Sequence, residues 1–204
     1  MTLLLVVRHG ESTWNAARRW QGRADPPLSD RGVDQARRAV GPARRAGPFD
    51  VVATSSLERA RRTGEILAAG LGVELLAPVD ELSERDAGEW QGLTRDEIEQ
   101  RDPGHLGAGK RPPGYEDDGS VVARATAALV ALADRGASTL VVAHGGVVHA
   151  LESAHEAGVG WRRLDNLAGR RFEVGADVAV PVGERISLIG DGGPPAPPTE
   201  AGYV

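Results

Sequence analysis

LLLVVRHGESTWN, residues 3–15, is the stretch on which the reading of this chain turns. Residues 3–7 are continuously apolar and end in β-branched valines, as expected of a strand covered on both faces. The run passes without a spacer into Arg8-His9-Gly10-Glu11, where three of four residues are polar or ionisable. In an open α/β sheet, ligands bind at the carboxyl ends of the parallel strands. Placement alone therefore makes Arg8 and His9 site candidates, although a cap or a surface loop would leave the same local pattern.

Two further runs repeat the design, at 50–54 (DVVAT) and 139–143 (TLVVA). Each is followed by polar or glycine residues and then by helical periodicity, the pattern of βα units and a parallel sheet. The fold class expected is α/β. Helices are predicted at about 29–46, 57–70, 94–101, 119–135 and 146–157. Ser29 caps the first, and Thr94 with Glu97 forms a capping box for the third. Pro42 is expected to end or kink the first. Segments 171–181 and 184–189 read as strands joined by a turn from Pro181 to Gly183. Residues 102–119 hold three Pro and five Gly and are expected to form a long surface loop, and long loops are often functional. Residues 1–189 are expected to make one domain, and the Gly/Pro-rich residues 190–204 a disordered or extended tail.

The chain has 204 residues, net charge -5 and no Cys, so neither disulfides nor thiolate metal sites are available. No apolar run approaches the ~20 residues of a membrane helix, and Met1 leads straight into a strand without a basic leader. The expectation is a cytoplasmic protein that binds neither membrane nor nucleic acid. Lys110 is the only lysine; the arginines at 37–45 and 61–62 read as solvated helix faces.

The residues that follow the three strands suggest a chemistry. Arg8 and His9 follow the first. SSLERARRT follows the second and places Arg59 in the opening turn of a helix. His144-Gly145-Gly146 follow the third, with the Gly145 backbone at a helix start. Two histidines and two arginines would converge at one sheet edge. Arginine forks match phosphate oxygens bidentately, helix starts favour anions, and neutral imidazole is a competent nucleophile towards phosphorus. A leaving alkoxide would need a proton donor, and ELSERDAGEWQG (81–92) offers Glu81, Glu84, Asp86 and Glu89. Spacing alone does not choose among them.

RHGESTWN, QGRADPPLSDRG, TSSLERARRT, ELSERDAGEWQG and VVAHGGVVHAL occur in that order between residues 3 and 151. Together they resemble the histidine phosphatase superfamily, in its phosphoglycerate-mutase-like branch. The resemblance implies a three-layer α/β/α sandwich with a mostly parallel central sheet. It puts His9 at the phosphorylated histidine, Arg8, Arg59 and His144 at phosphate-holding positions, and Asn15 in the same pocket. Glu84 falls at the proton donor, and Gln21 and Gly22 in the substrate-contacting loop. It implies no cofactor and no metal.

GHLGAGKR (104–111) imitates a Walker A loop but lacks the final Ser or Thr, a preceding strand and a following helix. His149, five residues after His144, lies about 140° away around a helix, so the two form no metal-binding face. His105 and His155 read as solvated.

The activity expected is hydrolysis of a small-molecule phosphomonoester through a phosphohistidine. A phosphoglycerate-type mutase and a non-catalytic binding relative are the alternatives. Mutases resembling this chain carry extra sequence before the second histidine, and an aromatic residue where Ala87 stands. Lys110-Arg111 only partly matches their basic pair. Relatives that carry Gly-Gly-Glu-Ser are matched here by PGYEDDGS (113–120), with Glu116 at the glutamate. The added acids argue against heavily anionic substrates and for a monophosphate on a sugar or similar molecule. A monomer or homodimer is expected.

Overall fold

The computed structural model describes residues 1–155 and 163–189. Six strands form one sheet: β1 (Thr2–Arg8), β2 (Val51–Thr54), β3 (Glu74–Leu75), β4 (Thr139–Ala143), β5 (Ala168–Val174) and β6 (Ala179–Ser187), in the order β3-β2-β4-β1-β5-β6. β1, β2, β3 and β4 run parallel, while β5 is antiparallel to both its neighbours. The sheet is thus mostly parallel, with an antiparallel hairpin added at one edge.

The helices are α1 (Thr13–Ala16), α2 (Asp30–Ala46), α3 (Glu58–Leu71), α4 (Arg95–Arg101), α5 (Asp118–Ala133) and α6 (Gly145–Ser153). Both sheet faces are covered because successive side chains of a strand point to opposite sides. Leu4 and Val6 of β1 pack with Val141 of β4 against α5 and α6. Leu5 and Val7 pack with Leu140 and Val142 against Ala36, Ala39 and Ala43 of α2 and Leu67 of α3. This is why residues 3–7 read as unbroken apolar sequence. A third cluster, Trp20, Ala87, Trp90 and Ile98, underpins the segments beyond the carboxyl ends of the strands.

Ser29 and Thr94 cap α2 and α4, the latter with the expected box to Glu97. Two sequence expectations need correction. Pro42 does not end α2, which continues to Ala46. The carbonyl that loses its partner is that of Arg38, on an exposed part of the helix where water can reach it. The late hairpin turns at 175–178 rather than at Pro181–Gly183, and Pro181 lies inside β6 opposite Phe172. β6 is the edge strand, where a missing N–H is tolerated. Gly183, at φ 66, sits where the β5–β6 register slips, a bulge rather than the turn. Short elements without their own periodicity, α1, β3 and two 3-10 turns at 80–82 and 88–90, were not legible. The expected helix end at 157 and the tail 190–204 lie outside the described residues.

Candidate active site

The register of the parallel strands builds the site. β4 lies between β2 and β1, with Arg8 opposite Ala143 and Thr54 opposite Val142. One residue further, the His9 and Ser55 amides still donate to Ala143 O (3.1 Å) and Val142 O (3.0 Å). His144 is thereby flanked by His9 on one side and Ser55 on the other.

The two imidazoles stand edge to face, with centroids 5.2 Å apart, and both are buried. His9 Nδ1 is 2.6 Å from its neighbour Gly10 O. A carbonyl can only accept, so Nδ1 carries the proton and Nε2 presents a lone pair. That lone pair accepts from Arg59 Nε at 3.2 Å. Burial, reinforced by Arg59 and Arg8, pushes the His9 pKa well below the ordinary value. His144 is pushed in the same direction by burial, with Arg59, His9 and Arg8 adding to it.

Arg59 is the second residue of α3 and fully buried. It donates to Ala24 O (2.7 Å) and Gly22 O (2.9 Å) and lies 3.8 Å from Asp25. Arg8 donates through Nη1 to Leu164 O at 2.6 Å. Burial lowers both guanidinium pKa values to about 10, so both remain cationic at neutral pH. Two buried nitrogens in this cluster, Arg8 Nε and His144 Nδ1, have no partner among the described residues. Buried polar atoms are nearly always satisfied, so these two orphans make this end of the sheet the candidate binding place.

Glu84 is buried and close enough to Arg8 and Arg59 to act on both electrostatically. Its Oε1 accepts from Arg85 N (2.8 Å) and its Oε2 from Gly146 N (3.1 Å). The Gly146 amide at the start of α6 is therefore taken by the protein's own carboxylate. Gly145, beside it, lies against the stem of Arg8; a Cβ there would meet Arg8 Cδ at 3.6 Å.

The remaining sequence candidates stand further back. Asn15 Oδ1 accepts from Ser12 N (3.2 Å) and from Asn166 Nδ2 (3.4 Å). Gln21 is buried, its Oε1 accepting from Ser12 Oγ at 2.6 Å. Gly22 (φ 53) supports Arg59 through its carbonyl, and a Cβ on it would lie 2.8 Å from Ala87 Cβ. Of the other carboxylates in 81–92, Glu81 is exposed, Asp86 Oδ1 accepts from Gly88 N, and Glu89 pairs with Arg101, the last two turned to local structure.

Three contributors had no sequence signal. Ser55 Oγ is 2.8 Å from His144 Nε2. Thr63 Oγ1 accepts from Gly10 N (3.0 Å) and donates to Arg59 O (2.7 Å). Asn166, just before β5, donates to His9 O at 3.0 Å. Ser55 and Thr63 lie inside a quoted block, but nothing in the residue types separates them from ordinary strand-end and mid-helix residues.

The acids of 113–120 are not a bare negative wall. Glu116 forms a bidentate pair with Arg124 (2.8 and 2.9 Å) and accepts from Asp86 N. Asp118 pairs with Arg85, and Asp117 caps α5. The argument from acidity against anionic substrates therefore loses its force. Among the described residues, no group of three His, Asp or Glu is placed to hold a metal ion, and no helix is long and apolar enough to cross a membrane.

Residues 4–174 match the family model of the histidine phosphatase superfamily, branch 1. A 2,3-bisphosphoglycerate-dependent phosphoglycerate mutase of Azorhizobium caulinodans is 35% identical over 195 residues, covering 87% of this chain and 95% of the relative. The uncharacterized phosphatase PhoE of Bacillus subtilis is 34% identical over 74% of this chain and 76% of its own. A mycobacterial glucosyl-3-phosphoglycerate phosphatase solved with VO3 superposes with a TM-score of 0.78 at 25% identity, over 89% of this chain and 97% of that one. The match spans the βα units that carry Arg8, His9, Arg59, Glu84 and His144, and the chain belongs to the histidine phosphatase superfamily, branch 1.

Proposed function

We propose that the chain is a metal-independent phosphomonoesterase that acts on a small-molecule phosphate ester through a phosphohistidine. The observation that carries this reading is the unprotonated His9 Nε2 set among two buried cationic guanidiniums, beside the unpartnered nitrogens Arg8 Nε and His144 Nδ1. When a phosphoryl group enters, Arg59 leaves the lone pair of His9 and turns to a phosphoryl oxygen. Nε2 then attacks phosphorus in line, forming the N–P bond as the ester P–O bond breaks. Arg8, Arg59 and His144 hold the charge on the equatorial oxygens. Glu84 takes up the proton brought in by the ester monoanion and gives it to the leaving oxygen, then takes one from the water that cleaves the N–P bond and releases phosphate.

A mutase uses the same machinery with a hydroxyl acceptor in place of water. Chain length does not argue against it, since a relative named a mutase is matched over 95% of its length. What favours hydrolysis is position 87 itself, where Ala87 packs against Gly22 and supplies no ring of its own to hold a small acid through a second transfer.

Hydrolysis of p-nitrophenyl phosphate in excess EDTA tests the reading. Activity should survive EDTA and fall by about a thousandfold or more in His9→Ala. Full activity in the variant overturns the assignment of His9. Isomerisation of phosphoglycerate faster than its hydrolysis selects the mutase instead.

A further inference from the structure

Ser55 is fully buried at the end of β2, and its hydroxyl is set between two partners. It accepts from Leu57 N at 3.2 Å and lies 2.8 Å from His144 Nε2. A hydroxyl has one proton to give. Leu57 N is a donor and cannot take it, which leaves the imidazole nitrogen as the acceptor within reach. The opposite assignment would bury both the hydroxyl proton and a bare Nδ1 lone pair unsatisfied, and it would aim that lone pair at an anionic guest.

We infer that Ser55 is a positioning residue: it donates to His144 Nε2 and so selects the Nδ1–H tautomer, which turns a neutral His144 into a hydrogen-bond donor towards the phosphoryl oxygens. The inference rests on the phosphoryl-transfer reading for its second half only; the tautomer is a property of the free protein. His144 Nδ1 is the buried atom without a partner, and the ring is surrounded by His9, Arg8 and Arg59. In water the histidine side chain favours the Nε2–H tautomer, so the arrangement needs an enforced partner. A neutral donor also suits this site, since a third cation beside Arg8 and Arg59 would add to the repulsion within the buried cluster.

The register explains why serine serves here. Ser55 continues β2 alongside Ala143 of β4, so its side chain reaches the residue that follows, His144.

Long-range ¹H–¹⁵N correlation spectra of the protein labelled at histidine nitrogen, near neutral pH, read the tautomer directly. His144 should show a protonated Nδ1 and an unprotonated Nε2, and inorganic phosphate should move the Nδ1–H resonance. Ser55→Ala should shift the ring towards the Nε2–H form and lower kcat/KM on p-nitrophenyl phosphate by about tenfold to a hundredfold, with Ser55→Thr recovering most of it. An Nε2–H tautomer in the parent, or an unchanged tautomer in Ser55→Ala, overturns the inference. A changed tautomer with an unchanged rate overturns its catalytic half. If the variants fail to fold, the parent spectrum alone still decides. Absence of phosphatase activity in the parent would sink the proposed function while leaving the tautomer result standing.

Discussion

Two histidines are buried here as neutral rings, and the same burial that readies His9 for attack ties stability to pH. Both pKa values are depressed in the folded protein, chiefly by desolvation. Unfolding restores the ordinary value of about 6.5, so the stabilisation is fully present above that pH. Below it the unfolded chain binds protons that the native rings refuse, and stability falls by up to ~1.4 kcal/mol per pH unit for each ring. Urea unfolding at pH 7.5, 6.5 and 5.5 should show the midpoint dropping with pH. His144→Ala should make that dependence shallower, and an unaltered slope would mean that the ring is not held neutral.

At the scale of elements, the turn that bears His9 is fixed by backbone packed directly on backbone. Gly32, in the first turn of α2, approaches so closely that a Cβ would lie 1.9 Å from Glu11 O, and one on Gly10 would lie 2.7 Å from Gly32 O. Gly32→Ala should therefore push α2 off the 9–11 turn. A cost of roughly 2–3 kcal/mol, with activity lost alongside, is expected by thermal unfolding and p-nitrophenyl phosphate assay. Wild-type activity in that variant would show that the turn tolerates displacement.

The proton-donor segment has its own clamp. Arg124 of α5 donates to Glu81 O (2.7 Å) and Ser83 O (2.6 Å) while pairing with Glu116. One guanidinium thus spans the backbone leading into Glu84 and the carboxylate that holds Asp86 N. Lysine has neither the fork nor enough donors in the right plane. Arg124→Ala and Arg124→Lys should both lower kcat, by about tenfold or more in the alanine variant, with KM for small esters little changed. A Lys variant as active as the parent would remove the clamp from the explanation.

Across the molecule, the helix that begins at His144 is tied to the far edge of the sheet. Glu152 of α6, with only 2% of its side chain exposed, pairs with Arg185 at 2.5 Å and with Arg170 at 3.5 Å. Glu152→Ala takes this carboxylate from two partly buried arginines and leaves a gap in their packing, and should cost about 3 kcal/mol. For a chain of this size that is a fall in Tm of roughly 6–12 °C, measurable by calorimetry. A shift under a degree would show that the arginines are satisfied without it.

How much of this was legible depended on whether a feature is local. The three strand runs, the caps Ser29 and Thr94 with Glu97, and the polar residues beyond each strand were readable because periodicity, capping and turn chemistry act within a few residues. The turn of the last hairpin was misread for the converse reason: Pro181 signals a break locally, and only its place on an edge strand makes it acceptable. Likewise the acids at 116–118 look like free charge until Arg124 and Arg85 are brought against them. By itself the sequence determined the α/β class, the family blocks and the histidines and arginines that face one sheet edge. The tertiary structure alone decided the strand order that seats His144 between His9 and Ser55, the backbone amides that hold the Glu84 carboxylate, and the partners of Thr63 and Asn166. Those are long-range pairings, and chain folding, rather than any property of neighbouring residues, brings their hydrogen-bonding atoms within 3 Å or so of one another.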